Sequence, residues 1–336
     1  MSLATKYRPK EFEEVCSQET VIKILQKQLE LKKYSNCMLF SGISGGGKTT
    51  LARILANKIN NGQGEPIEID AASNNGVDNI RNIIADAKER SLSSEYKIFI
   101  IDEAHMITTQ GWNAFLKCLE EPPKYSIFIL CTTDPQKIPS TIQNRLMRFN
   151  LTPIPSEDIE NRLNYICRQE NFINYDESTK YISKLVDGSM RKAISYIEKI
   201  ASYSNNLNIE NTLKVLGNSS YNYMFDLTNA IIDRRDNDIL KNIENMYSEG
   251  IDLKIFINQY IDFLLDLCKY CILKNIESTK IPSLYEQRLN YTVNVENNIY
   301  YFKGLLNKIL EIKENLKYDS SVKSIIIIKL IELTRG

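Results

Sequence analysis

Gly42-Ile43-Ser44-Gly45-Gly46-Gly47-Lys48-Thr49 follows the pattern G-x-x-x-x-G-K-[ST]. Gly42, Gly45, Gly46 and Gly47 let backbone N–H groups curl around phosphate oxygens, and a helix opening behind them adds positive potential. In this pattern Lys48 is expected to reach the β- and γ-phosphates of ATP, and the Thr49 hydroxyl to serve Mg²⁺. Ser44 and Thr50 flank the same cradle. Further along, the apolar run Ile98-Phe99-Ile100-Ile101 ends in Asp102-Glu103. If that run is a buried parallel strand, both acids sit at the carboxyl edge of the sheet beside the Gly-rich loop. Asp102 is then expected to hold Mg²⁺ through water. Glu103 is expected to orient and polarise an attacking water, because phosphoryl transfer needs a positioned nucleophile more than covalent help. A Gly-rich turn and a surface acid pair are each common alone; both together at this separation point to Mg²⁺-dependent ATP hydrolysis.

Other polar residues carry weaker signals. Thr133 lies just past the apolar run Ser126–Cys131, next to the acid pair in a parallel sheet. Arg145 follows Pro139, and Arg191 follows Gly188-Ser189 at a helix start. Taken singly, each reads as a solvated group or a cap. His105 completes Asp-Glu-Ala-His, which suggests a helicase box. A two-lobed helicase needs a second motor lobe, and no strand pattern follows residue 153 to build one. No Cys or acid cluster around His105 has metal-ligand spacing. Cys268 and Cys271 form a C-x-x-C inside a Leu/Ile-rich helical pattern, where packed thiols are expected.

These residues need a scaffold, and the first 150 residues alternate strands and helices. Strands are expected at Met38–Phe40, Pro66–Asp70, Ile98–Ile101 and Ser126–Cys131. Helices are expected at Thr50–Asn60, Asn79–Arg90 and Trp112–Leu119. That rhythm predicts an α/β parallel-sheet domain over residues 1–152. After Pro153 and Pro155 the strand signal vanishes. Ser156 is expected to cap a helix, helical patterns run to Ser204, and Ile209–Leu216 forms one more helix. Residues 153–217 thus read as an all-helical second domain. Gly217-Asn218-Ser219-Ser220 reads as a linker, and residues 218–336 as long amphipathic helices with joints near Gly250, Thr279–Ser283 and Asp319–Ser321.

Composition narrows the setting. The 336 residues are 43% hydrophobic and 25% charged, as expected for a folded chain of two or three domains. The longest pure apolar stretch is Ile127–Cys131, so no membrane span is expected, and the N-terminus has no secretory pattern. Seven scattered cysteines fit a reducing cytoplasm. With 42 basic and 42 acidic residues, any contact with nucleic acid must use a local patch.

Taken in order, Tyr7-Arg8-Pro9, the Gly-rich loop, Glu68-Ile69-Asp70-Ala71-Ala72-Ser73, Ile101-Asp102-Glu103-Ala104-His105-Met106, Asn113–Lys117, Leu119-Glu120-Glu121-Pro122-Pro123, Thr132-Thr133-Asp134-Pro135-Gln136-Lys137 and Gly188-Ser189-Met190-Arg191 form a set. This set resembles the gamma/tau subunits of bacterial DNA polymerase III, AAA+ ATPases of the sliding-clamp loader, and is similar to the small subunits of replication factor C. The resemblance is dense over residues 1–216 and thinner beyond. It implies an AAA+ domain, a helical lid and a helical collar. It also implies Tyr7 and Arg8 at the adenine pocket, Thr133 as sensor 1, Arg191 as sensor 2, and Arg145 as a finger for a neighbour's ATP. By family position Arg81, Thr108 and Thr109 are expected to touch DNA phosphates. Residues Glu89–Tyr96 are expected to face the clamp, with Leu92 and Tyr96 as an apolar anchor.

The implied partners are a sliding clamp, primer-template DNA, and companion subunits or further copies in a pentamer-like ring. Three departures stand out. The stretch Asn60–Glu65 has no room for the family's four zinc-binding cysteines, so no zinc is expected. The family's Ser-Arg-Cys reads Asn144-Arg145-Leu146. No tau-type extension is expected after the collar-like helices. Two rival readings are an AAA+ branch-migration motor and a collar-bearing subunit that braces a ring without hydrolysis.

Overall fold

The computed structural model describes residues 2–217, 221–295, 299–316 and 322–335. The chain forms two compact units, one ending at Leu207 and one beginning at Asn208. The first holds a five-stranded sheet of β1 (Cys37–Ser41), β2 (Ile67–Asp70), β3 (Lys97–Asp102), β4 (Ser126–Thr132) and β5 (Met147–Asn150). All pairings are parallel, in the order β2-β3-β4-β1-β5. Its helices are α1 (Leu3–Lys6), α2 (Glu19–Glu30), α3 (Lys48–Ile59), α4 (Val77–Ala87), α5 (Thr109–Glu120), α6 (Ser140–Gln143), α7 (Ser156–Gln169), α8 (Asp176–Leu185) and α9 (Met190–Tyr203).

Strand periodicity explains the layering. Alternate residues of a strand face opposite sides of a sheet, and here both sides are covered. Leu39, Phe99, Ile101, Phe128 and Leu130 pack with Ile80 and Ile83 of α4 and Trp112, Phe115 and Leu119 of α5. Met38, Phe40, Ile98, Ile100, Ile127 and Ile129 pack with Leu25 of α2 and Leu51, Ile54 and Leu55 of α3. Phe128 stacks on Phe99 at 5.3 Å and meets Phe115 edge-on at 5.2 Å, so one aromatic stack ties two strands to α5.

Four elements go beyond the sequence reading: α1, α2, α6 and β5. Several boundaries also move. α3 begins at Lys48, inside the Gly-rich motif itself. α4 ends at Ala87 and not at Arg90. α5 begins three residues before Trp112, where the Thr108 side chain accepts the Gly111 N–H at 3.1 Å. Ser156 is the first residue of α7, so it does not act as the N-cap; Pro155 holds that position with no side-chain bond.

The second unit is helical throughout its described residues: α10 (Ile209–Leu216), α11 (Tyr221–Ile232), α12 (Asp236–Ser248), α13 (Leu253–Leu273), α14 (Glu286–Val295), α15 (Ile299–Asn315) and α16 (Val322–Arg335), with two 3₁₀ turns between α13 and α14. α10, read from sequence with the preceding helices, belongs here, capped by Asn208, which accepts the Asn211 N–H. Phe225, Phe263 and Tyr285 cluster beside buried Tyr260, whose hydroxyl meets that of Thr228 at 2.9 Å. Residues 218–220 of the expected linker and the joint at 319–321 lie outside the described residues. No described helix is long and apolar enough to cross a membrane.

Candidate nucleotide site

β1 is buried along its length and delivers the chain to Gly42 at the carboxyl edge of the sheet. The loop then folds back on itself before α3 starts. Gly45, at φ +74°, and Gly47, at φ +100°, take backbone conformations that side chains rarely adopt. Gly45 also has no room for a side chain: a Cβ there would stand 2.3 Å from Ser189 Oγ and 3.0 Å from Arg191 Cβ. The N-terminus of α9 therefore rests directly on the Gly-rich loop. Gly42 lies beneath, its own Cβ position 2.8 Å from the Leu151 carbonyl oxygen.

Lys48 is 6% exposed, and its ammonium donates to the carbonyls of Gly42 at 3.0 Å and Ile43 at 2.9 Å. Burial holds its pKa below the usual lysine value; Arg191 pushes the same way, and Glu103 and Asp102 oppose. The Thr49 hydroxyl donates to Asp102 Oδ2 at 2.8 Å, and Asp102 Oδ1 accepts the Glu103 N–H at 3.0 Å. Two hard oxygens at this spacing fit a Mg²⁺ carried in on phosphates, since that ion takes one or two protein oxygens beside water and phosphate. Among the described residues no group of three or more His, Cys, Asp or Glu side chains is placed to hold a metal.

Glu103 has left-handed backbone angles, φ 46° and ψ 44°, a strained choice for a residue with a side chain. Thr133 donates to Glu103 Oε2 at 3.1 Å, which sets the residue after β4 beside the acid pair. His105 stands against the same carboxylate, Nδ1 to Oε2 3.3 Å. The sequence reading left His105 without a role, because its partners come from the fold and not from local spacing.

Ser44, Gly45, Gly46, Gly47, Lys48, Thr49, Thr50, Asp102, Glu103 and Arg191 line one pocket with Tyr7, Arg8 and Pro9. Its empty space, open solvent included, is about 890 Å³. Val15, Cys16, Ile154, Arg162, Met190 and Ile194 also line it, and sequence reasoning missed them. The N-terminal arm is pinned from this side. Tyr7 OH donates to Glu170 Oε1 at 2.5 Å, Lys6 pairs with the same oxygen at 2.6 Å, and Arg162 donates to the Tyr7 carbonyl at 3.0 Å. The bonds from Lys6 and Tyr7 lower the Glu170 pKa; burial, then the bond to Glu170, raise that of Tyr7.

Arg145, Arg81, Thr108 and Thr109 lie elsewhere. Arg145 is absent from the pocket lining; its guanidinium pairs with Glu120 and donates to the Thr141 carbonyl. Arg81 is exposed on α4 and pairs with Asp78 at 3.1 Å. Thr108 and Thr109 line a shallow crevice where the N-termini of α4 and α5 converge. Tyr96 corrects the expected apolar anchor: it packs edge-on against Tyr34 at 5.6 Å, and its backbone N–H and C=O both bond the buried Asn60 side chain. Leu92 alone of the pair stands fully exposed. The Asn60–Tyr96 bonds tie the end of α3 to the residue before β3.

A P-loop after β1, an acid pair at the end of β3 with β4 lying between the two strands, and a helical cap over the loop define an AAA+ nucleotide-binding module. The RuvB Holliday junction branch migration motor of Thermotoga maritima has a similar fold, with a TM-score of 0.53 and 19% identity over 73% of this chain and 86% of that one. Family models match over residues 67–155 (DNA polymerase III, delta subunit) and 207–334 (DNA polymerase III subunits gamma and tau domain III). The DNA polymerase III subunit gamma of Buchnera aphidicola subsp. Schizaphis graminum is 33% identical, covering 78% of each chain. The tau subunit of Bacillus subtilis is 38% identical over 79% of this chain and 51% of its own length. The Mycoplasma genitalium gamma/tau subunit is 31% identical over 96% of this chain and 56% of its own. The chain belongs to the DNA polymerase III gamma/tau family, and it spans about half the length of these last two relatives.

Proposed function

We propose that the chain is an ATP-driven motor subunit of a DNA sliding-clamp loader, which opens the clamp and sets it on primer-template DNA in the bacterial cytoplasm. The observation that carries this reading is the unbroken set Lys48, Thr49, Asp102, Glu103 and Thr133, in contact or lining one pocket, on a gamma/tau-family chain. Loop N–H groups and Lys48 bind the phosphates, and Arg191 reaches them from α9. Thr49 and Asp102 would hold Mg²⁺, which when bound would supply neutralisation of charge on the phosphates. Glu103 orients a water in line with the γ-phosphorus and takes its proton as the bond to the leaving ADP oxygen breaks. Thr133 holds that carboxylate. Arg145, absent from the lining of its own pocket, serves the ATP of a neighbouring subunit.

The working divisions are residues 1–152 as motor, the helices from 153 to 207 as lid and the helical unit from Asn208 as collar, the last joining companion subunits or further copies in a ring. Arg81 and the crevice at Thr108 and Thr109 take DNA phosphates, which suits an enzyme acting at any primer junction. Leu92 offers the clamp an exposed apolar anchor.

Phosphate release by the full chain, with and without clamp and primed DNA, tests the reading. Lys48→Ala should abolish release through lost ATP binding. Glu103→Gln should bind ATP and hydrolyse it at under about 1% of the normal rate, because it keeps the shape and loses the polarising charge. Normal turnover in Glu103→Gln would overturn the assignment.

A further inference from the structure

His105 is 12% exposed in its side chain and sits on the 3₁₀ turn Ala104–Met106, directly after the acid pair. Its Nδ1 lies 3.3 Å from Glu103 Oε2 and 3.1 Å from Thr132 Oγ1. Thr132 is buried, and its Oγ1 also accepts the Asp134 N–H at 3.0 Å. An ionised carboxylate can only accept, so a ring nitrogen facing it must carry the proton. A proton on Nδ1 bonds Thr132 Oγ1 and stands against Oε2 as an electrostatic contact, whereas the Nε2–H tautomer would set a lone pair against Oε2. Thr133 donates to that same Oε2 from the other side. The Thr133 hydroxyl and the His105 ring thus both stand at one oxygen, and Oε1 is left to meet the water.

We propose that His105 is a positioning residue for hydrolysis: its Nδ1–H, braced by Thr132, holds the Glu103 carboxylate in the attitude that activates water. The idea rests on the reading of Glu103 given above. It explains how a strained, left-handed residue at a strand end presents its side chain in one orientation. It also links the end of β4 to the acid pair through two adjacent threonines, Thr132 by way of the ring and Thr133 directly.

The test uses the full chain in its assembled form, with single-turnover hydrolysis at saturating ATP and nucleotide affinity measured in parallel. His105→Ala should cut the rate by about 10- to 100-fold, the worth of a hydrogen bond to a charged group, with affinity changed less than about two-fold. His105→Asn places an amide donor near the Nδ1 position and should recover much of the rate. His105→Gln, whose donor reaches the Nε2 position, should not. In a Glu103→Gln background His105→Ala should have no further effect. A merely structural role predicts no difference between Asn and Gln.

His105 is the only histidine in the chain, so ¹⁵N-imidazole labelling yields a single ring to observe. That readout needs no turnover. The Nδ1–H tautomer is expected, with its signal displaced by Glu103→Gln. An Nε2–H ring overturns the proposal, and so does full-rate His105→Ala beside an inactive Glu103→Gln. Turnover that survives Glu103→Gln instead overturns the reading of the site, while the ring signal still decides whether His105 grips that carboxylate.

Discussion

Substituting Gly45 by alanine should separate two costs that the structure places on one atom. The first is backbone strain. At φ +74° a residue with a Cβ loses about 1–2 kcal/mol relative to glycine, whatever surrounds it. The second is collision with α9. The new Cβ would stand 2.3 Å from Ser189 Oγ, 3.0 Å from Arg191 Cβ and 3.3 Å from the Arg191 nitrogen. Ser189 can rotate away, but its Oγ caps α9 by accepting the Lys192 N–H, and losing a cap costs about 1 kcal/mol. The Arg191 contacts yield only if the helix backs off the loop. Strain acts with or without nucleotide, so melting of the first unit should fall by about 2–6 °C. Collision pushes α9, which brings Arg191 to the pocket, off the loop, so nucleotide affinity should fall by about five-fold or more, the equivalent of 1 kcal/mol. Titration with a fluorescent ATP analogue and a thermal melt read the two separately. Gly45→Ala with Ser189→Gly should regain part of the affinity and none of the melting temperature. A Gly45→Ala protein that binds and melts like the wild type would refute the reasoning.

Mixing Arg145→Ala with Lys48→Ala should restore phosphate release, because Arg145 of the second can serve the intact loop of the first; a trans finger is worth roughly 10³–10⁵ in rate in comparable systems. Co-assembly without recovery would leave Arg145 as the partner of Glu120 alone. Arg81→Glu should lower DNA-stimulated hydrolysis and flatten its salt dependence, with basal release unchanged; unchanged stimulation would remove it from the DNA surface. Glu170 has its pKa lowered from 4.5 in the fold, so its bonds to Lys6 and Tyr7 stabilise the arm above that pH and fade as pH drops through the lower folded value. Glu170→Gln should therefore melt slightly below wild type at pH 7, the effect being small for a pair with so exposed a lysine, and the gap should close in acid. A gap that widens in acid would contradict the assignment.

The parts of this fold that sequence reveals are those whose signal is local. Strands buried on both faces must be apolar at every position, so β1, β3 and β4 announce themselves as short continuous runs. β5 does not, because as an edge strand it buries only Phe149, and its exposed Met147, Arg148 and Asn150 carry no period. α2 hides for a related reason: it buries Val21 and Leu25 and is otherwise half-exposed or exposed. The site divides the same way. A Gly-rich loop and an acid pair are contiguous in sequence because each must shape a few consecutive peptides. The far wall of the pocket is assembled across long gaps: Tyr7 meets Glu170 over 163 residues, and Arg191 reaches Gly45 from a different helix. His105 falls between the two cases. It is two residues from Glu103, yet neighbours in sequence do not face each other unless the backbone turns, and here the left-handed angles at Glu103 make that turn. The residue most strained in the acid pair is thus the one whose strain brings its own support into reach, which is why that support is invisible until φ and ψ are known.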